Sequence, residues 1–305
     1  MARVIIHFIG VFLPRRHCWY HVKTEGEVMQ RRSEYIQVAA HSIHISHWGN
    51  PSSPALIMWH GLARTGRDFD GAAHILSKDY FVICPDTIGR GLSSWGQNPR
   101  TDYSLKSYAE IAEAIIDYYK IEKLRWFGTS MGGLIGMLLA GGVLNERITH
   151  LVINDIGPEI GSDALSRIIE YVGSPPSFAS MPEFKVWLEK IYAPFGENSE
   201  EFWQLMADSS MRRRSDGRIT THYDPEIINQ FSHNADELPL WEVYQNISAK
   251  ILITRGSESD VLPTNVGDKM LKYNDNASLQ EIKKFGHAPT FNSIESIDLL
   301  RLFLN

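Results

Sequence analysis

Apolar positions along this chain follow two different patterns, and the two patterns alternate. Short continuous apolar runs are typical of strands covered on both faces, whereas apolar residues three and four positions apart are typical of amphipathic helices. Strands are predicted at residues 55–59, 80–84, 123–127, 149–154, 250–254 and 277–282. Because helical patterns lie between them, the chain predicts crossover connections and an α/β fold built on a mostly parallel, doubly wound sheet. Ahead of this region, strictly alternating residues 33–39 and 42–47 predict a half-exposed hairpin at the sheet edge.

The alternation breaks between Gly157 and Glu237, where helical patterns are found at residues 160–172, 181–192 and 200–211 and no core strand is predicted. We therefore expect a helical cap at 157–237 inserted into a core formed by 33–156 and 238–305, preceded by an N-terminal extension at 1–32. The cap is rich in aromatic residues. Most are expected in its own small core, and a minority are expected to line a substrate pocket; the candidates for the pocket are Trp187, Tyr192 and Trp203.

Composition restricts the choice of partners. The chain has 305 residues, a formal net charge of -6 and 43% hydrophobic residues, which argues against nucleic acid or an anionic membrane as a partner. The basic run at residues 211–214 is interpreted as a solvated helix end or loop. The chain has two cysteines, Cys18 and Cys84, and a disulfide between them is not expected because Cys84 falls in a predicted buried strand. The lack of a disulfide framework agrees with a reducing, cytoplasmic setting.

The N-terminal extension carries an apolar run at residues 4–13, followed by Arg15 and Arg16. This run is too short to span a bilayer, so no stable membrane span is predicted. It resembles the core of a signal peptide but has no clear small-residue cleavage site. We expect the extension to pack on the domain or on a neighbouring subunit, and a homodimer would provide that second surface.

The strongest chemical signal is Gly128-Thr-Ser-Met-Gly132, a match to G-x-S-x-G. It stands between an apolar strand and a helix whose small residues recur at helical spacing, including Gly136 and Ala140. A sharp strand-to-helix turn of this kind holds a serine hydroxyl clear of its surroundings. Ser130 is therefore predicted to be a nucleophile.

A serine nucleophile needs a base within hydrogen-bond reach and an acid that holds the base in place. Loops that follow parallel strands gather at one edge of the sheet, and His287, next to Gly286, lies in such a loop. His287 is predicted to be the base. Asp260 and Asp155 both follow strands and both qualify as the acid; Asp260 is favoured, because its turn-rich loop suits a side chain that reaches sideways.

The negative oxygen of a tetrahedral intermediate needs two backbone donors, and the N–H groups of Leu62 and Met131 are predicted to supply them. His60 and Arg64 lie in the same loop as Leu62 and are candidates for substrate binding. For His60, shaping the loop by hydrogen bonding is the alternative. For Arg64, binding of a substrate carboxylate competes with an ion pair to a neighbouring aspartate.

Together these residues resemble the α/β-hydrolase fold superfamily over about residues 33–305. The matching motifs, in chain order, are His60-Gly61, the Asp86-to-Ser93 loop with Gly89 and Gly91, the Gly128–Gly132 turn, Asp260, and Gly286-His287. The resemblance implies a serine hydrolase with a helical cap that uses no metal or cofactor. Ser130 stands where dehalogenases and epoxide hydrolases of the family carry aspartate, which argues against both.

The resemblance implies cleavage of an ester, thioester or lactone of an apolar small molecule through an acyl-enzyme. An alternative is a carbon–carbon bond hydrolase acting on a dienone from aromatic ring cleavage. Those enzymes usually carry tryptophan after the catalytic histidine, where this chain has Ala288. An alternative of another class is a ligand-binding member of the fold that has no catalytic activity, although Ser130, Asp260 and His287 are all present.

Overall fold

The computed structural model describes residues 30–305, so most of the predicted N-terminal extension and Cys18 lie outside it. An eight-stranded sheet forms the centre. The strands are β1 (Arg32–Val38), β2 (His41–Trp48), β3 (Ala55–Trp59), β4 (Phe81–Pro85), β5 (Leu124–Thr129), β6 (Ile148–Asn154), β9 (Lys250–Gly256) and β10 (Ala277–Ile282). They lie in the order β1-β2-β4-β3-β5-β6-β9-β10. The pairs β1–β2 and β2–β4 are antiparallel, and all neighbouring pairs from β4 to β10 are parallel. The predicted α/β class and mostly parallel sheet are thereby confirmed.

Helices cover both faces of this sheet. The helices of the described residues, including four that lie between β6 and β9 away from these faces, are α1 (Asp70–Leu76), α2 (Pro99–Asp102), α3 (Leu105–Tyr118), α4 (Met131–Ala140), α5 (Ser162–Val172), α6 (Met181–Ile191), α7 (Glu200–Ser210), α8 (Asn229–Ser232), α9 (Trp241–Gln245), α10 (Thr264–Tyr273) and α11 (Ile294–Leu304). Buried residues of α1 and α11 pack on one face, and those of α3, α4, α9 and α10 pack on the other. β3 is buried along its whole length because its alternate side chains enter the two opposite cores.

Close contact between α4 and the sheet depends on its glycines. A Cβ at Gly132 would collide with the carbonyl of Trp59, and one at Gly136 would meet the indole of Trp126. The Trp126 indole N–H donates to the Gly132 carbonyl at 2.9 Å, and its ring stacks on Trp59 at 5.4 Å between centroids. Since nothing larger than hydrogen fits at these positions, the glycines allow α4 to pack directly against β3 and β5.

The segment 157–237, called the insertion below, lies between β6 and α9, ahead of the last two strands of the sheet, β9 and β10. It contains α5 to α8 and a small apolar core in which Phe184, Leu188 and Met206 are buried. It also contains a two-stranded antiparallel sheet of β7 (Met211–Arg213) and β8 (Ile219–Thr221). The prediction that the arginine run lies in a helix end or loop is wrong, because Met211 to Arg213 pair with the buried strand β8.

No helix within residues 30–305 has both the length and the apolar character needed to cross a membrane. Cys84 is buried in β4, and burial raises the pKa of its thiol well above the ordinary value.

Candidate active site

Ser130 occupies a sharp turn between β5 and α4. Its backbone has φ 52° and ψ -114°, a conformation that residues other than glycine rarely adopt. The backbone is held on both sides: the Ser130 N–H donates to the Asn154 carbonyl at 2.8 Å, and the Ser130 carbonyl accepts from the Gly133 N–H at 2.8 Å. These bonds fix the turn and direct the hydroxyl to the carboxyl edge of the sheet.

His287 lies in the loop after β10 and contacts Ser130 directly. Its Nε2 is 3.0 Å from Ser130 Oγ, and its Nδ1 is 2.8 Å from Asp155 Oδ2. Because a carboxylate can only accept, Nδ1 carries the proton and Nε2 presents a lone pair to the serine hydroxyl. In this tautomer His287 can remove a proton from Ser130.

Asp155 follows β6 and is fully buried. Its backbone has φ 59°, and this turn directs the carboxylate toward His287. The carboxylate also accepts from the Gly256 N–H at 2.8 Å and from the Ser259 hydroxyl at 2.6 Å. With three polar partners, the buried carboxylate is fixed in position beside His287.

The prediction that Asp260 is the acid partner of His287 is wrong. The Asp260 side chain is 52% exposed and pairs with Arg167, with a shortest distance of 2.7 Å. Its neighbour Ser259 points inward instead and donates to Asp155. The loop after β9 thus supports the carboxylate with a hydroxyl, and the aspartate that contacts His287 is Asp155, the second one considered from the sequence.

The two predicted oxyanion donors flank the serine. Gly61, which precedes Leu62, lies so close to Ser130 that a Cβ built on it would be 3.7 Å from Ser130 Cβ. Within residues 30–305, neither the Leu62 N–H nor the Met131 N–H donates to another group. Met131 is the first residue of α4, where backbone N–H groups have no partner inside the helix. Both donors are therefore available to a developing negative oxygen.

The structure gives His60 a loop-shaping role in place of substrate binding. Its ring is fully buried, Nδ1 donates to the Gly61 carbonyl at 2.7 Å, and Nε2 accepts from the Thr87 N–H at 3.0 Å. Burial lowers the pKa of His60 to about 4, so the ring stays neutral. Because both ring nitrogens are hydrogen-bonded to the protein, His60 stabilises the loop that contains Leu62.

Arg64 forms an ion pair with Asp68, which the sequence analysis gave as the alternative to binding a substrate carboxylate. It binds Asp68 with two nitrogens, at 2.9 and 2.6 Å, and donates a further hydrogen bond to the Ser210 hydroxyl in the insertion. Its guanidinium also lies 5.2 Å from the ring centroid of Tyr192. The cation is thus already neutralised by Asp68 and links the oxyanion loop to the insertion.

Aromatic residues proposed for the pocket lie mainly in the core of the insertion. Trp187 stacks on Phe184 at 5.9 Å, and Trp203 packs edge-on against Phe202 at 5.1 Å. Tyr192 differs because it contacts Arg64 and is 8% exposed. Trp187 and Trp203 therefore act in packing, and Tyr192 stands at the boundary between the insertion and the site.

The insertion also bonds to the two other loops around the serine. The Gly91 N–H donates to His222 Nδ1 at 2.9 Å, and the Gly286 N–H, next to His287, donates to the Pro194 carbonyl at 2.7 Å. Burial lowers the pKa of His222 to about 3, which keeps its ring neutral and able to accept this bond. The loop after β4 and the loop that carries His287 are thus both tied to the insertion.

Two residues that support the site went unassigned in the sequence prediction. Ser259 is a serine in a serine-rich turn, and no local signal marks it. Arg90 lies between Gly89 and Gly91, a pair of glycines that indicates close backbone approach, and its guanidinium reaches Leu62 and Met131. Among residues 30–305, no group of three or more His, Cys, Asp or Glu side chains is arranged to hold a metal ion.

Comparisons with a family model, with curated proteins and with solved structures all match this chain to hydrolases. A family model for the alpha/beta hydrolase fold matches residues 54–292. A 3-hydroxybutyrate-oligomer hydrolase from Cupriavidus necator is 37% identical over 261 residues, covering 82% of this chain and 88% of that protein. The crystal structure of a putative hydrolase from Rickettsia typhi superposes with a TM-score of 0.82 at 31% identity, covering 90% of this chain and 99% of that one. An alpha/beta hydrolase from Novosphingobium aromaticivorans superposes with a TM-score of 0.82 at 30% identity, covering 90% and 98%.

Proposed function

Because this chain belongs to the alpha/beta hydrolase fold family and is a hydrolase, we propose that it cleaves carboxylic esters through an acyl-enzyme on Ser130. The observation that carries the proposal is the position of His287. One ring nitrogen lies 3.0 Å from the serine hydroxyl and the other 2.8 Å from the buried Asp155 carboxylate. This is the arrangement a serine needs for activation by general base catalysis.

The reaction follows from these contacts. His287 Nε2 takes the proton of Ser130 Oγ as the oxygen attacks the ester carbonyl, and Asp155 stabilises the imidazolium that forms. The carbonyl oxygen becomes negative between the N–H groups of Leu62 and Met131. His287 then returns the proton to the departing alcohol. Water, activated by the same ring, releases the acid from Ser130.

For the substrate we propose short oligoesters of 3-hydroxy acids. The support is the relative from Cupriavidus necator, which is described as a 3-hydroxybutyrate-oligomer hydrolase and is matched over 88% of its length. Each repeat of such an oligomer carries an ester carbonyl within a short aliphatic chain, so one site can hold successive repeats. Thioesters and lactones present the same electrophile and belong to the same proposed chemistry. We place the activity in the cytoplasm, in keeping with the free, buried Cys84.

A substrate panel run beside Ser130→Ala tests this proposal. The panel contains the dimer and trimer of 3-hydroxybutyrate, p-nitrophenyl butyrate, a butyryl thioester and a dienone acid. We expect turnover of the esters, its loss in Ser130→Ala, and labelling of Ser130 by a fluorophosphonate, seen by intact mass. Preferential turnover of the dienone acid would instead favour carbon–carbon bond cleavage. Folded protein that neither turns over any substrate nor reacts with the probe would favour a ligand-binding role.

A further inference from the structure

Arg90 is a fully buried cation without an acidic partner. It lies in the loop after β4, and its relative exposure is 0%. In the part of the chain that the structure describes, no carboxylate comes within 4.0 Å of its guanidinium nitrogens. Burial of a charge is strongly unfavourable unless other groups compensate for it. The contacts of this side chain therefore call for a functional explanation.

Two of these contacts reach the residues that carry the oxyanion donors. Arg90 Nε donates to the Leu62 carbonyl at 2.8 Å, and Nη2 lies 3.6 Å from Met131 Sδ. Leu62 belongs to the loop after β3 and Met131 to the first turn of α4, so the two are far apart in sequence. One planar group thus contacts both residues whose N–H groups are the predicted oxyanion donors.

Other contacts fix the guanidinium in its plane. Nη1 donates to the Ile88 carbonyl at 2.8 Å and to the Tyr108 hydroxyl at 2.8 Å. The cation lies 5.1 Å from the Tyr108 ring centroid and 5.7 Å from that of Tyr103. Neutral carbonyls, a hydroxyl and aromatic rings share the charge without cancelling it. The Arg90 guanidinium therefore keeps its net positive charge, and this charge acts on the groups around it.

We infer that Arg90 is a positioning residue for the oxyanion hole: it holds Leu62 and Met131 at a fixed separation and places a positive charge behind them. This inference rests on the proposed function of Ser130. A preorganised positive potential favours the tetrahedral intermediate, which carries a full negative charge, far more than the neutral ester. The contribution of Arg90 is thus made mainly in the transition state.

This difference between ground and transition states sets the expected effect. Loss of one oxyanion donor lowers kcat by about 100- to 1000-fold. Arg90 acts through the donors, so we expect Arg90→Met to lower kcat by about 10- to 100-fold with KM within about threefold of the wild type. The affinity for butylboronic acid, which forms a tetrahedral adduct on the serine, should fall by a factor similar to that for kcat.

Two further variants control for effects on folding. Arg90→Lys keeps the charge, but an ammonium cannot reproduce the planar fork, so its kcat should fall at least about fivefold. Arg125→Met is the matched control. Arg125 donates to the Leu304 carbonyl and lies 5.1 Å from the ring centroid of Tyr80, but it stands at the start of β5, at the edge opposite Ser130. It should leave kcat and boronate affinity unchanged.

The outcomes separate this inference from the proposed function. If the wild type hydrolyses esters and Arg90→Met or Arg90→Lys keeps kcat within about twofold, the inference is overturned while the function of Ser130 stands. An equal loss of kcat in Arg125→Met would also overturn it, because the effect would then be general. If the wild type neither hydrolyses esters nor binds the boronate, both proposals fail. Should Arg90→Met not fold, Arg90→Lys decides the question.

Discussion

Replacing Asp155 by asparagine is the most direct test of the site. The change keeps size and shape and removes the negative charge from a carboxylate that is fully buried. One orientation of the new amide turns its NH₂ toward His287 Nδ1, so that the imidazole proton moves to Nε2 and faces Ser130. The other orientation turns the NH₂ toward the Gly256 N–H, which now donates to Asp155 at 2.8 Å, and leaves two donors opposed.

The size of the effect follows from these two orientations. In the first, the lone pair that should accept the Ser130 proton is lost, and a serine enzyme with the wrong histidine tautomer loses about 10⁴-fold in kcat, or about 5 kcal/mol of transition-state stabilisation. In the second, a buried donor is left without an acceptor, at a cost of about 1–3 kcal/mol in folding stability. We therefore expect near-complete loss of activity together with a smaller loss of stability.

Asp260→Asn is the matched control, because Asp260 also follows a strand and was the other candidate for the acid in the sequence. Asp260 pairs with Arg167 at the surface, with 52% of its side chain exposed. Such pairs contribute about 0–1 kcal/mol to stability, and this one does not touch His287. We expect kcat within about threefold of the wild type. The assay is steady-state hydrolysis of p-nitrophenyl butyrate, with melting temperatures to confirm that each variant is folded.

The reasoning would be refuted by the reverse pattern. A folded Asp155→Asn that keeps more than about a tenth of wild-type kcat would show that His287 does not depend on this carboxylate. An Asp260→Asn that loses about 1000-fold would show that the loop after β9 rearranges to bring Asp260 to the histidine.

Three further predictions concern the backbone, the carboxylate and the buried histidines. Ser130→Gly should be about 1 kcal/mol more stable to urea unfolding than Ser130→Ala, because glycine adopts φ 52° without strain; equal stability would argue against strain. Ser259→Ala should lower kcat about tenfold at constant KM, since it removes a hydrogen bond to the charged Asp155, and Ser259→Thr should restore it. Burial lowers the pKa of His60 to about 4 and of His222 to about 3, from 6.5; the unfolded chain therefore binds more protons below pH 6.5, and stability falls as the pH drops toward 4. Each ring should contribute about 2 kcal/mol of this loss at pH 5, so the stability gap between wild type and His222→Gln should shrink by that amount between pH 8 and pH 5.

Much of the fold was predictable because the central strands are buried on both faces and therefore consist of continuous apolar runs. The predicted strand at residues 55–59 coincides with β3, since only apolar residues are accepted between two helical layers. The helices of the insertion were likewise found to within about two residues at each end. β7 and β8 were missed because strands of three residues show no period, and the arginines of β7 suggested a solvated segment.

The site was predictable where the chemistry is local. Ser130 is marked by its glycines, and His287 by its place after the last strand. The acid was predicted wrongly as Asp260, because Asp155 and Asp260 both follow parallel strands at the same edge and the turn-rich loop around Asp260 looked better suited. Asp155 reaches His287 because its backbone adopts a φ of 59°, and no residue pattern around Asp155 predicts this conformation. Arg90 was missed for another reason: its main acceptors are carbonyl oxygens, and any residue type supplies a carbonyl.

The hydrogen bonds that tie the insertion to the loops around Ser130 have a consequence for chimeric enzymes. Ser210, His222 and Pro194 each bind a different loop of the core. An insertion transplanted from a relative to change substrate preference would remove the hydrogen bonds that Arg64 and the Gly91 N–H make to it, unless it carries a hydroxyl and an imidazole at the positions of Ser210 and His222. A working chimera must therefore transfer Arg64 and the other core positions that meet the insertion along with the graft.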